Sequence, residues 1–173
     1  THFFNPVRYL HLLEIIPNKE TTKLNVSFMH DFCERILGKG VIIAKESPNF
    51  IANRIGVYAT LKAMDFMQTH NYNVSEVDYI LGTETGKPKS AVFKTIDIVG
   101  IDTFTHVAKN CFDSIVEDEE HDIFRAPDFL AEMIKRKYLG RKTKQGFYKR
   151  DGLLTKMIDL KTFEYEEIKK PKY

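Results

Sequence analysis

The chain has 173 residues, 43% of them hydrophobic and 29% charged, and a formal net charge of +2. This is the composition of an ordinary globular chain, long enough for one good core or two small ones, and its charge is too small and too dispersed to name nucleic acid as a partner. No apolar run reaches the length that spans a bilayer, no charged-then-apolar leader stands at the N-terminus, and Cys33 and Cys111 lack CxxC spacing, as expected of buried reduced thiols in a cytoplasmic protein.

The chain opens on Thr1-His2-Phe3-Phe4-Asn5-Pro6, without an initiator methionine and with His2 in a strand whose beginning is missing, so it reads as a piece of a longer one. A second extended segment runs from Leu10 to Ile16, and alternation points Leu10, Leu12, Glu14 and Ile16 the same way. Glu14 is then expected on an apolar face, where a carboxylate is costly unless a donor meets it; the nearest candidate is the imidazole of His2. A carboxylate that accepts the proton of one ring nitrogen fixes the tautomer and leaves the other nitrogen free as a base. From the residues alone, a strand-edge histidine and an exposed strand glutamate remain the ordinary alternative.

Beyond Pro17, Leu24, Phe28, Met29, Phe32 and Ile36 recur at helical spacing, Gly38 supplies a left-handed cap, and residues 41–44 form a short apolar strand. Gly38-Lys39-Gly40 follows a helix, the wrong order for a dinucleotide site, and no GxGxxG follows a strand anywhere. Ser47 and Pro48 predict the start of a long helix over about 50–70, with Ser47 as N-cap. Ala52, Gly56, Ala59 and Ala63 keep one face of it small for close packing, while Asn53 shares a mostly apolar face with Val57, Leu61 and Met64. An amide there either bridges backbone groups or faces a cleft.

Ser75 and Asp78 predict a capping box for a helix over 76–81, and an irregular loop over 86–94 feeds a helix ending at Gly100; the loop's Lys87 and Lys89 either attract phosphates or, as the ordinary case, stay solvated. Asp102 is expected to cap a helix over 103–116 with Phe104, Val107, Ala108, Cys111, Phe112 and Ile115 inside; His106, beside that stripe, reads as a core or surface histidine. The acidic run 117–122 reads as a solvated loop rather than a metal site, since consecutive residues rarely converge on one ion. Pro127 opens a helix that Gly140 closes, and residues 140–148 form a basic turn that drops Phe147 and Tyr148 onto the core. Residues 157–165 suit a small hairpin, and 169–173 a linker.

His2-Phe3-Phe4-Asn5-Pro6-Val7, followed by Leu13-Glu14-Ile15, resembles the signature of the L-3-hydroxyacyl-CoA dehydrogenase family. Asn49-Phe50-Ile51-Ala52-Asn53-Arg54 and the segment 140–148 are similar to two further stretches of that family, in the expected order, so the resemblance covers about residues 1–148. Lys89-Ser90-Ala91 departs from it, standing where many relatives carry Met-Gly-Pro in a loop that shapes the acyl pocket and dimer contact. The resemblance implies His2 as general base, Glu14 as the group that orients it, Asn53 as a substrate contact and Asn5 as a cofactor contact. It implies NAD as cofactor, with its binding motif upstream of this chain, and a substrate L-3-hydroxyacyl-CoA oxidised to 3-oxoacyl-CoA in fatty acid beta-oxidation. It further implies a homodimer through a helical domain, with no nucleic acid, membrane or metal.

The expected fold is mainly α: a truncated strand-helix-strand remnant of a Rossmann domain (1–46), a helical substrate-binding and dimerisation domain (47–150), and a hairpin or linker tail (151–173) that in some fused relatives leads into an enoyl-CoA hydratase domain. The isolated chain is expected to be inactive. The alternative is a non-catalytic helical module for dimerisation and acyl-CoA binding. A third class, dehydrogenases that rely on a helical lysine, finds no lysine here with matching surroundings.

Overall fold

In the computed structural model β1 (His2–Phe3) runs antiparallel to β2 (Leu12–Ile15), which pairs in parallel with β3 (Gly40–Ile43), so β2 is the central strand. Between β2 and β3 the chain forms α1 (Lys23–Asp31), whose first turn is capped by the hydroxyl of Thr22 accepting from Asn25 N. The helix then widens into a π turn over Phe32–Ile36, and Gly38 ends it at φ 64°. The structure describes residues 1–168; the expected linker over 169–173 lies outside them. The chain divides into two compact units, Thr1–Ile55 and Gly56–Tyr173.

The first unit's core is small. Leu13, Ile15 and Cys33 are buried together, with Phe3, Met29 and Val41 packed against them. The apolar stripe of α1 faces the other way: Leu24 is 77% exposed and Phe28 65%. Both faces of β2 are buried, because Leu13 and Ile15 enter the core while Glu14, also fully buried, takes the opposite face.

The long helix α2 spans Ala52–His70. Ser47 does not cap it: Asn49 and Phe50 take positive φ, a turn bonds Phe50 N to Ser47 O, and the first helical amides turn elsewhere. Its small face is mostly open, since Gly56 and Ala59 are exposed, Ala52 is half-buried and only Ala63 of that row is buried. Val57, Leu61, Met64 and Met67 carry the packing instead.

In the second unit α3 (Val74–Ile80) begins with a capping box two residues earlier than expected. Asn73 accepts from Glu76 N, and the Glu76 carboxylate accepts from Asn73 N. Asp78 is thereby released to cap the next helix, α4 (Phe93–Val99), accepting from Val92 N, Phe93 N and Lys94 N at 2.9, 2.7 and 3.3 Å. Asp102 lies inside the first turn of α5 (Ile101–Ser114) rather than at its cap, and meets Lys142 at 2.5 Å. Phe104, Ala108, Cys111 and Ile115 are buried as expected, and His106 is exposed.

After α6 (Asp128–Lys135) the basic turn folds around Asp97, whose two oxygens accept from Phe147 N and Tyr148 N at 2.8 and 2.9 Å. A Cβ at Gly140 or Gly146 would strike Asp97, so only glycine lets the chain pass there. The expected hairpin is a three-stranded antiparallel meander of β4 (Tyr148–Asp151), β5 (Leu154–Ile158) and β6 (Tyr165–Glu167). Its Ile158 joins the unit's one large core with Phe93, Ile101, Leu130, Met133 and Phe147.

Candidate active site

His2 and Glu14 are directly opposed in the β1–β2 ladder, so their side chains leave the sheet on the same face. His2 Nδ1 lies 2.7 Å from Glu14 Oε2, with the His2 side chain 28% exposed and that of Glu14 fully buried. The other carboxylate oxygen, Oε1, accepts from Ile51 N at 3.0 Å and Ala52 N at 2.8 Å. These are the orphan amides at the start of α2, so Glu14 performs the capping that Ser47 was expected to supply.

Burial acts to raise the pKa of Glu14. The His2 bond, the two amides and the charge of an imidazolium together outweigh it and hold the carboxyl below the ordinary glutamate range. An ionised carboxylate can only accept, so the proton between the two groups belongs to Nδ1 of the imidazole, which assigns the tautomer. Nε2 then carries the lone pair and has no hydrogen-bond partner among the described residues. The ring is flanked by Phe4 and Phe50, with centroids at 4.5 and 5.4 Å, which limits its rotation on two sides.

Asn5 is exposed, lies two residues beyond β1 and is joined to Pro6 by a cis peptide bond. Asn53 is half-buried in the first turn of α2 and its side chain makes no hydrogen bond among the described residues, so no direct bond joins it to the His2–Glu14 pair.

One residue escaped the sequence reading. Lys39 is buried at 8% exposure and its ammonium donates to the carbonyls of Val7 at 2.5 Å and Leu10 at 2.7 Å, clamping the loop that joins the strand of His2 to the strand of Glu14. Its signal was faint, since a lysine between Gly38 and Gly40 reads as a solvated turn. Gly40 has its own reason: a Cβ there would stand 2.9 Å from the His11 ring.

An acid-held imidazole with a free second nitrogen, on a strand–helix–strand fragment next to the capped start of a long helix, is the arrangement the family signature implied. The family model described as "3-hydroxyacyl-CoA dehydrogenase, C-terminal domain" matches residues 50–150, and the one described as "3-hydroxyacyl-CoA dehydrogenase, NAD binding domain" matches residues 1–47. The chain belongs to the 3-hydroxyacyl-CoA dehydrogenase family.

Among curated relatives, a probable 3-hydroxyacyl-CoA dehydrogenase of Bacillus subtilis is 50% identical over 172 residues, covering 99% of this chain and 22% of the relative. A probable 3-hydroxyacyl-CoA dehydrogenase of Deinococcus radiodurans is 42% identical over 149 residues, covering 86% of this chain and 42% of the relative. Among solved structures, FadB2 of M. tuberculosis superposes with a TM-score of 0.76 at 27% identity, covering 87% of this chain and 51% of that one. The chain thus spans less than half the length of these curated relatives. The NAD-binding domain match falls inside the chain, so a part of that domain is present here, although the glycine-rich motif is absent from its 173 residues. Among the described residues no helix is long and apolar enough to cross a membrane.

Proposed function

We propose that this chain supplies the acid–base half of an NAD-dependent dehydrogenase that oxidises the 3-hydroxyl of an L-3-hydroxyacyl-CoA to a ketone, in fatty acid beta-oxidation. The observation that carries the reading is the 2.7 Å contact between His2 Nδ1 and a fully buried Glu14 whose remaining oxygen is held by two helix amides. Nε2 of His2 takes the hydroxyl proton as the C3–H bond breaks, and the imidazolium so formed is stabilised by the carboxylate already facing it. NAD, when bound, accepts the hydride. Asn5, exposed two residues beyond β1, is the residue of this chain assigned to the cofactor, and Asn53, in the first turn of α2, the one assigned to the substrate.

Glu14→Gln in the longest polypeptide that carries this chain tests the mechanism. A glutamine oxygen still accepts from Ile51 N and Ala52 N, but its amide donates to Nδ1 and forces the proton onto Nε2, where the base is needed. Turnover is expected to fall by about 10²-fold or more with little change in melting temperature. An equal loss of folding would support the non-catalytic helical module instead. The purified 173-residue chain is itself expected to show no steady oxidation of a hydroxyacyl-CoA, because its sequence holds no phosphate-cradling GxGxxG; sustained NADH production would contradict this. The homodimer rests on apolar side chains open on the helical unit, such as Phe66 at 50% and Val99 at 54% exposure, and sedimentation tests it.

A further inference from the structure

The basic turn singled out in the sequence has no part in the chemistry above. From Met133 to Arg150 there are eight lysines and arginines and no aspartate or glutamate. In the fold this run does not spread over a flat face. Arg141, Lys144, Lys149 and Arg150 join Lys89 and Lys94 around a hollow of about 830 Å³, between the start of α4 and the β4–β5 hairpin. The one carboxylate lining it, Asp97, has both oxygens engaged by the amides of Phe147 and Tyr148.

None of the six cations forms an ion pair among the described residues, whereas Lys62, Lys109, Arg136, Lys142 and Lys156 all do. Three of the six are held by contacts that leave their charge intact. Lys94 Nζ stands 5.1 Å from the ring centroid of Tyr148, Lys149 Nζ stands 5.4 Å from that of Tyr165, and Arg150 Nε donates to Gly152 O at 3.2 Å. Such anchoring lowers the entropy lost when a ligand immobilises them. Ser90 and Thr155 add hydroxyl donors to the wall.

We propose that this hollow binds a small organic polyphosphate. Like charges gathered in a concavity focus their field on one multiply charged anion, and a guanidinium fork matches a phosphate edge. A single carboxylate would leave most of this charge unanswered. The volume suits a nucleotide-sized ligand, and the cations gather around one hollow instead of running out along a stripe, the arrangement a long polymer would need. The proposal does not depend on the dehydrogenase reading, because no residue of that site lines the hollow.

Calorimetric titration of the 173-residue chain with inorganic pyrophosphate, coenzyme A and AMP tests it. Pyrophosphate and coenzyme A are expected to bind more tightly than AMP, and their affinity to weaken about tenfold or more as salt rises from low to physiological strength and beyond. Arg141→Ala with Arg150→Ala, both at exposed side chains, should lower the affinity at least about tenfold at unchanged melting temperature. Thr155→Glu, which removes no cation but introduces a carboxylate into the wall, should do the same. Lys19→Ala with Lys23→Ala, an equal loss of charge in the first unit, should leave the affinity alone. A preference for coenzyme A over pyrophosphate assigns the ligand to a thioester's carrier, and equal affinity assigns it to free polyphosphate. No heat at millimolar pyrophosphate, equal losses in the control variant, or binding only to RNA or anionic vesicles would overturn the proposal.

Discussion

At Glu14 three needs are met by one side chain. Its Oε2 holds the His2 imidazole, its Oε1 accepts from two amides at the start of α2, and its burial removes water that would compete for either. Glu14→Ala is therefore expected to do what Glu14→Gln does not: leave the start of α2 uncapped and lower stability by about 1–2 kcal/mol, read from urea unfolding. The sign of the pH dependence follows from the depressed pKa. The carboxylate contributes stability above the ordinary glutamate range, and that contribution is lost as pH falls through the folded value. Strand alternation singled out this residue on an apolar face, and the resemblance of the flanking stretch to a family signature, rather than the residues alone, paired it with His2. The two amides stayed hidden, since the turn that delivers them needs positive φ at Phe50 as well as Asn49, and a phenylalanine does not announce it.

At the level of elements, helical spacing and Gly or Pro punctuation located α1 to α5 and the start of α6, but α6 ends at Lys135 and not at Gly140, and the caps were misassigned. Ser47, Asp78 and Asp102 were each given to their own helix; a tertiary partner won in two cases, Glu14 for α2 and Lys142 for the Asp102 carboxylate, while at α3 a local cap two residues earlier, Asn73, took the place. The freed Asp78 instead joins α3, α4 and Tyr148, whose hydroxyl donates to it at 2.9 Å. The facing of α1 was equally hidden, because period alone does not say which side of a helix a sheet will cover.

Asp97 gives this framework a pH signature of opposite sign to Glu14. Burial pushes its pKa up to about 6, against the amides of Phe147 and Tyr148, with the charge of Asp78 adding to the rise. The folded state then holds the proton more tightly than the unfolded chain, so ionising Asp97 costs stability as pH climbs from the ordinary aspartate range to about 6, and the cost is constant above it. Compared with Asp97→Asn, the wild-type protein is expected to lose roughly 3 kcal/mol across that window, measured by urea unfolding at several pH values.

At the scale of the whole chain, the two units are unequal. The first rests on three buried residues and a three-stranded sheet whose edge residues Ile42 and Ile43 are about half exposed; the second has a continuous core running from Val57 to Ile158. Amide hydrogen exchange should therefore be faster in β1–β3 than in α4–α6, and equal protection would show that the small core is stronger than its area implies. His2 and Glu14 both lie in the first unit, with the smaller core.

The double attachment of Glu14 then sets an order of events. Because one carboxyl group closes both contacts, the imidazole acquires its proton acceptor in the same step that seals the beginning of the long helix. A nascent or damaged chain in which that helix has not started also lacks the held His2–Glu14 pair, so the geometry on which the proposed chemistry depends arrives only with local assembly.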